Sequence, residues 1–214
     1  MTKAPAKTRP RAARGEGDRL RQEILEATEK LLLSTGDEDA VSMRSIAEAV
    51  GVTPPSIYLH FVDKETLILA VCQRQFDRLD IEIEAALRGL DDPMDKLRQR
   101  GRAYIDFGVT HPEQYRILMM GKRELTLEDF QSGILPGSRS LIAVVENISE
   151  CMATGLMTEG DPMLVACGLW ACVHGLTSLS ITVPGFPLFF AFDTLVNHVF
   201  DVTMNGLARP ATAL

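Results

Sequence analysis

The chain has 214 residues, 46% hydrophobic and 24% charged, enough apolar material for a sizeable buried core. Its net charge of −7 excludes a protein that coats nucleic acid by bulk attraction. Four cysteines, Cys72, Cys151, Cys167 and Cys172, lack any CxxC spacing, which points to buried free thiols in a reducing cytoplasm and away from a disulfide framework.

Charge is unevenly placed along the chain. Residues 1–64 carry ten basic and ten acidic side chains, so the whole deficit lies beyond them. Residues 1–17, with Lys3, Lys7, Arg9, Arg11 and Arg14, read as a disordered basic arm. From Asp18, the spacing of Leu20, Ile24, Ala27 and Leu31 predicts a helix ending at Gly36. Ser42 is placed to cap a second helix containing Ile46, Ala47 and Val50, and Gly51 suits the left-handed residue that ends it.

Two prolines then follow. With Thr53 as N-cap, Pro54 and Pro55 fall on the first two helical positions, where no intrahelical N–H bond is lost, so they start a helix over 54–61. Ile57 and Phe61 at i, i+4 tie that helix to the core. Pro55, Ser56, Tyr58 and Leu59 fall on the opposite arc, with His60 at its flank. A face of this kind suits a helix that enters a groove.

Asp63 caps a long helix over 64–88, striped by Ile68, Cys72, Phe76, Leu79 and Ile83. Pro93 opens a helix to Thr110, Pro112 a short one to Gly121, and residues 128–156, 161–183 and 187–206 supply three more. With no strand alternation, the chain reads as all-α with about nine helices. Residues 18–65 form a helix-turn-helix domain, 66–206 a helical ligand-binding and dimerisation domain, and 207–214 a tail. Residues 162–192 hold no Asp, Glu, Lys or Arg. Thr177, Ser178, Ser180, Thr182, Pro184 and Pro187 interrupt that stretch, so burial against another subunit is a simpler reading than a membrane span.

A tight glycine turn between two short helices is a helix-turn-helix pattern. The segment VSMRSIAEAVGVTPPSIYLHFVDKETLI, residues 41–68, resembles the DNA-binding domain of the TetR/AcrR family of bacterial transcriptional regulators. The matching positions are Ile46-Ala47, Gly51-Val52, residues 53–56, Tyr58, Phe61, Lys64 and Leu67. The resemblance implies that Thr53, Pro54, Pro55 and Ser56 approach base edges and a phosphate. It also implies that Tyr58 and His60 touch phosphate or sugar, that Lys64 meets a phosphate, and that Arg44 reaches a base or phosphate. Arg44 alone is a strong direct reader, and because prolines donate nothing, specificity leans on thymine methyls and DNA shape as well. The same side chains also have plain readings: Tyr58 as a core aromatic, His60 and Lys64 as solvated groups, and Arg44 paired with Glu48.

Residues 115–121 and 170–175 resemble, over a shorter stretch, the class of this family with a WHG-type C-terminal domain. Trp170 and His174 share a helix face, and with Tyr104, Phe107, Met119 and Met120 as walls they suit a mostly apolar ligand pocket; a purely structural core is the alternative. No catalytic motif, metal cluster or cofactor loop is visible. The expectation is a cytoplasmic, homodimeric repressor that a small apolar effector releases from a pseudo-palindromic double-stranded DNA operator. Helices 161–183 and 187–206 are the expected dimer interface, and a helical protein-interaction module with a vestigial DNA-binding domain is the alternative.

Overall fold

The computed structural model describes residues 16–119 and 136–207. These residues form nine helices: α1 Glu16–Thr35, α2 Met43–Val50, α3 Pro54–Tyr58, α4 Lys64–Ala86, α5 Pro93–Thr110, α6 Pro112–Met119, α7 Ser138–Ala153, α8 Pro162–Thr182 and α9 Phe192–Leu207. Residues 1–15 of the expected basic arm, residues 120–135 with Met120 and the predicted helix start at 128, and the tail from residue 208 lie outside the described residues, while residues 16 and 17 of the arm belong to α1.

α1 buries a face that differs slightly from the one expected. Ile24, Leu25, Thr28 and Leu32 are buried, with Leu20, Ala27 and Leu31 at the edges. Thr28 tolerates the core because its hydroxyl donates to Ile24 O at 2.7 Å, which leaves only its methyl to pack. The stripe expected on α4, from Ile68 to Ile83, is buried throughout. At 23 residues α4 is about 35 Å long. It packs on α1 at one end and on α5 and α6 further along.

Two later helices begin with one device. Asp92 accepts from Met94 and Asp95 N–H ahead of Pro93, and Asp161 accepts from Met163 N–H ahead of Pro162. α9 starts at Phe192, not near residue 187. Pro184 and Pro187 lack an N–H, and residues 183–191 form turns instead.

α5 is the central helix, in contact with α4, α6, α7 and α8. Gly108 lets α6 and α8 close on it, since a Cβ there would run into Thr177 and Tyr115. The main apolar core is continuous from Ile24 on α1 to Phe200 on α9, and a smaller cluster, including Leu97, Ile148 and Met204, joins α5, α7 and α9. α9 is further held to α5 by ion pairs, Arg98 to Asp201 and Arg102 to Asp193, both at 2.7 Å. Of the four cysteines, Cys72 and Cys151 are buried as expected; Cys167 is exposed and Cys172 half-buried, because α8 leaves much of its apolar surface uncovered.

Candidate DNA-reading face and effector cavity

The geometry of α2 and α3 follows from local chemistry. Ser42 and Ser45 cap each other at the start of α2: Ser45 N–H donates to Ser42 Oγ at 3.1 Å, and Ser42 N–H donates to Ser45 Oγ at 2.9 Å. Gly51 takes φ +78° and returns its N–H to Ala47 O, so the chain turns without a Cβ clash. Thr53 is extended, and Pro54 and Pro55 fill the first two positions of α3. Thr53 is the N-cap residue, as expected, although its side chain makes no capping hydrogen bond. The second helical residue has no N–H to offer, and Ser56 N–H bonds to Thr53 O, so the Thr53 hydroxyl pairs with Ser56 Oγ at 3.0 Å instead.

α3 ends at Tyr58, shorter than predicted, and both His60 and Phe61 N–H close onto Ile57 O. Ile57 and Phe61 anchor it in the core, and Arg21 of α1 lies over the Phe61 ring, 4.9 Å from its centroid. Tyr58 is 52% exposed and Leu59 84%, with Pro55 exposed and Ser56 and His60 half-buried. At the start of α4, Asp63 Oδ1 accepts from Thr66 N–H at 2.7 Å, which holds the carboxyl below its usual range.

The second feature is a cavity of about 360 Å³ between α4, α5, α7, α8 and α9. Its lining is mostly apolar, including Phe76, Leu97, Met119, Leu141, Trp170 and Phe200, with Asp80 and Arg100 the only charged residues among those described. Behind Trp170 runs a hydrogen-bond chain. The indole N–H donates to Tyr104 OH at 3.3 Å, Tyr104 OH meets Tyr115 OH at 3.1 Å, and Tyr115 OH meets His174 Nδ1 at 2.7 Å. A neutral ring protonated on Nε2 accepts at Nδ1, so each group in the chain donates onward once. Burial pushes the His174 pKa below its ordinary value and both tyrosine pKa values upward, so all three stay uncharged.

Residues 24–71 match the family model for bacterial regulatory proteins of the tetR family, and residues 97–203, half of the chain, match that of the tetracyclin repressor-like C-terminal domain. The chain belongs to the TetR family. Among curated TetR-like relatives, the HTH-type transcriptional activator FasR of Mycolicibacterium smegmatis is 36% identical over 117 residues, 54% of this chain and 52% of the relative. The regulator AcrR of Shigella flexneri is 33% identical over 112 residues, 51% and 50% of the two chains. The chain thus spans about half the length of the curated relatives it matches. Solved structures share the fold across nearly the whole chain. A TetR family transcription regulator from Marinobacter aquaeolei has TM-score 0.69 at 22% identity, covering 92% of this chain and 99% of that one. A protein of unknown function from Rhodococcus has TM-score 0.72 at 24% identity, covering 89% and 96%.

Against the TetR expectations, Arg44 is exposed and has no ion pair among the described residues, so the pairing with Glu48 is not formed. Lys64, for which the resemblance implies a phosphate contact, also has a task within the fold. Its ammonium donates to Glu38 O at 2.7 Å and Val41 O at 3.0 Å, closing the turn between α1 and α2. Of the expected pocket residues, Tyr104, Met119 and Trp170 line the cavity. Phe107 does not; it is buried with its ring 5.2 Å from that of His111. His174 does not line it either, because it stands behind Tyr104 and Tyr115. Arg100 and the walls from α4 and α7 were missed. Arg100 is one of several arginines on α5, and only the packing of distant helices singles it out.

Proposed function

We propose that this protein is a cytoplasmic, homodimeric transcription repressor that leaves its DNA operator when a small, mostly apolar effector fills the cavity. The observation that carries the reading is α3 itself: a helix pinned from beneath by Ile57 and Phe61, with Tyr58 and Leu59 outward and exposed Arg44 on α2 nearby. Arg44 supplies hydrogen bonds to a base or phosphate, Tyr58 and His60 meet the backbone, and Pro55 and Leu59 lie against thymine methyls. A vestigial reader would have no use for an outward tyrosine and leucine over an intact core, which weighs against the interaction-module alternative.

A second copy is the natural cover for α8. That helix is long and apolar enough to cross a membrane, yet only 22% of an apolar 18-residue stretch of it is buried. Leu164, Leu179 and Val183, with Phe189, Phe190 and Val202 on and before α9, are exposed. Paired with their copies, α8 and α9 make a four-helix interface that spaces two α3 helices for successive major grooves. In this reading the effector acts through α6, which touches α1 and α4 and holds Tyr115 in the chain that starts at the cavity wall. It needs only to bind the DNA-incompetent arrangement better, by about 1–3 kcal/mol.

The test is gel retardation of DNA from upstream of the protein's own gene, at low and high salt. Wild type should retard it selectively, and Tyr58→Ala should lose the complex while light scattering still shows a dimer. A Tyr58→Ala variant that binds normally removes the site assignment, and no selective retardation by wild type removes the regulator reading.

A further inference from the structure

We propose that the cavity takes a ligand with an apolar body and a carboxylate head, and that Arg100 holds the head. This deepens the effector reading and rests on it. Among the described polar side chains around the cavity, one alone has a buried atom without a partner. Tyr104 and Trp170 belong to the chain that ends on His174. Asp80 Oδ1 accepts from Ser140 Oγ, and its Oδ2 lies 3.3 Å from Arg139 Nε, so this carboxylate is hydrogen-bonded and its charge is offset. Thr203 Oγ1 donates to Val199 O at 2.7 Å.

Arg100 is different. Its side chain is 17% exposed, and its Nε is closed off from solvent with no acceptor among the described residues. Its Nη1 reaches Glu84 Oε1 at 3.2 Å, a long contact to a side chain that is 63% exposed. Such a pair holds weakly, because water competes for the carboxylate. A guanidinium donor buried without an acceptor is costly, and an acceptor inside the cavity relieves that cost when the head of the side chain turns toward it. The planar edge formed by Nε and Nη2 fits the two oxygens of a carboxylate. A single cation in a cavity at the small end of the range for ligand sites favours that head over a doubly charged phosphate.

Trp170 is the only tryptophan in the chain and lines the cavity, so its emission reports occupancy. The dimer is titrated with decanoate and with decanol, which differ only in the head group, and binding is confirmed by equilibrium dialysis. Wild type should bind decanoate about ten- to a hundredfold more tightly than decanol. Arg100→Met, which keeps an apolar stem, should bring decanoate down to the level of decanol and leave decanol unchanged, whereas Arg100→Lys should keep part of the preference. Equal binding of the two probes by wild type overturns the head-group proposal alone, as does a preference that survives in Arg100→Met. If neither probe binds, the effector cavity falls with it. The comparison of acid with alcohol on wild type decides the matter even if a variant fails to fold.

Discussion

The reading face and the cavity are built on different length scales. Around α3, nearly every decisive contact is local: Ser42 with Ser45, Gly51 with Ala47, Asp63 with Thr66, and two prolines beside Thr53. Around the cavity the decisive contacts join residues far apart in the chain, Tyr104 and Tyr115 with His174, and Arg102 with Asp193. A reader must present a fixed surface to a fixed duplex, and short-range rules produce a rigid unit. A sensor must have two arrangements of similar energy, and contacts between separate helices can be exchanged without unfolding any of them.

The largest expected effect tests the rigidity of the reader. Ile57 is fully buried beneath α3, so Ile57→Ala should cost about 2–5 kcal/mol in chemical denaturation and abolish DNA retention. A loss under about 1 kcal/mol would mean that α3 is not held from beneath, and the contrast with the sensor would disappear. Lys64 gives a smaller and sharper test. Lys64→Met should cost about 1–3 kcal/mol, because Val41 O loses the ammonium donor and Glu38 O keeps only the Val41 N–H, while the salt dependence of DNA binding stays as it was. A slope that flattens by about one unit would show that the ammonium meets a phosphate as well, as the resemblance implies.

The same difference in scale explains what could be read in advance. The elements around α3 were legible because caps, a left-handed glycine and N1 prolines are rules about neighbours; even the outward arc of Tyr58 and Leu59 came from a helical wheel. Thr53 stands at the N-cap as expected but without a capping hydrogen bond, because the prolines that favour the helix start also remove an amide that a capping hydroxyl needs. In the sensor, Trp170 and His174 were rightly placed on one helix, but spacing along α8 cannot tell the cavity wall from the layer behind it. That depends on where α5 and α6 bring Tyr104 and Tyr115. The carbonyl partners of Lys64 were not legible for a similar reason, since they lie 23 and 26 residues earlier in the chain.

The smallest effect lies in the layer behind the cavity. Burial lowers the His174 pKa from the ordinary 6.5, so the unfolded chain takes up a proton at a higher pH than the folded one. Stability from the neutral ring is therefore complete above about pH 6.5 and is lost as the pH falls toward the folded value. His174→Asn keeps an acceptor for Tyr115 and removes the titration. Other histidines and the carboxylates are common to both proteins and cancel in the difference between them. Denaturation midpoints measured from pH 7.5 to 5.5 should thus fall more steeply for wild type than for His174→Asn. Parallel curves would show that His174 is protonated as readily in the folded protein as in the unfolded chain, and that the chain from Trp170 does not depend on a neutral ring.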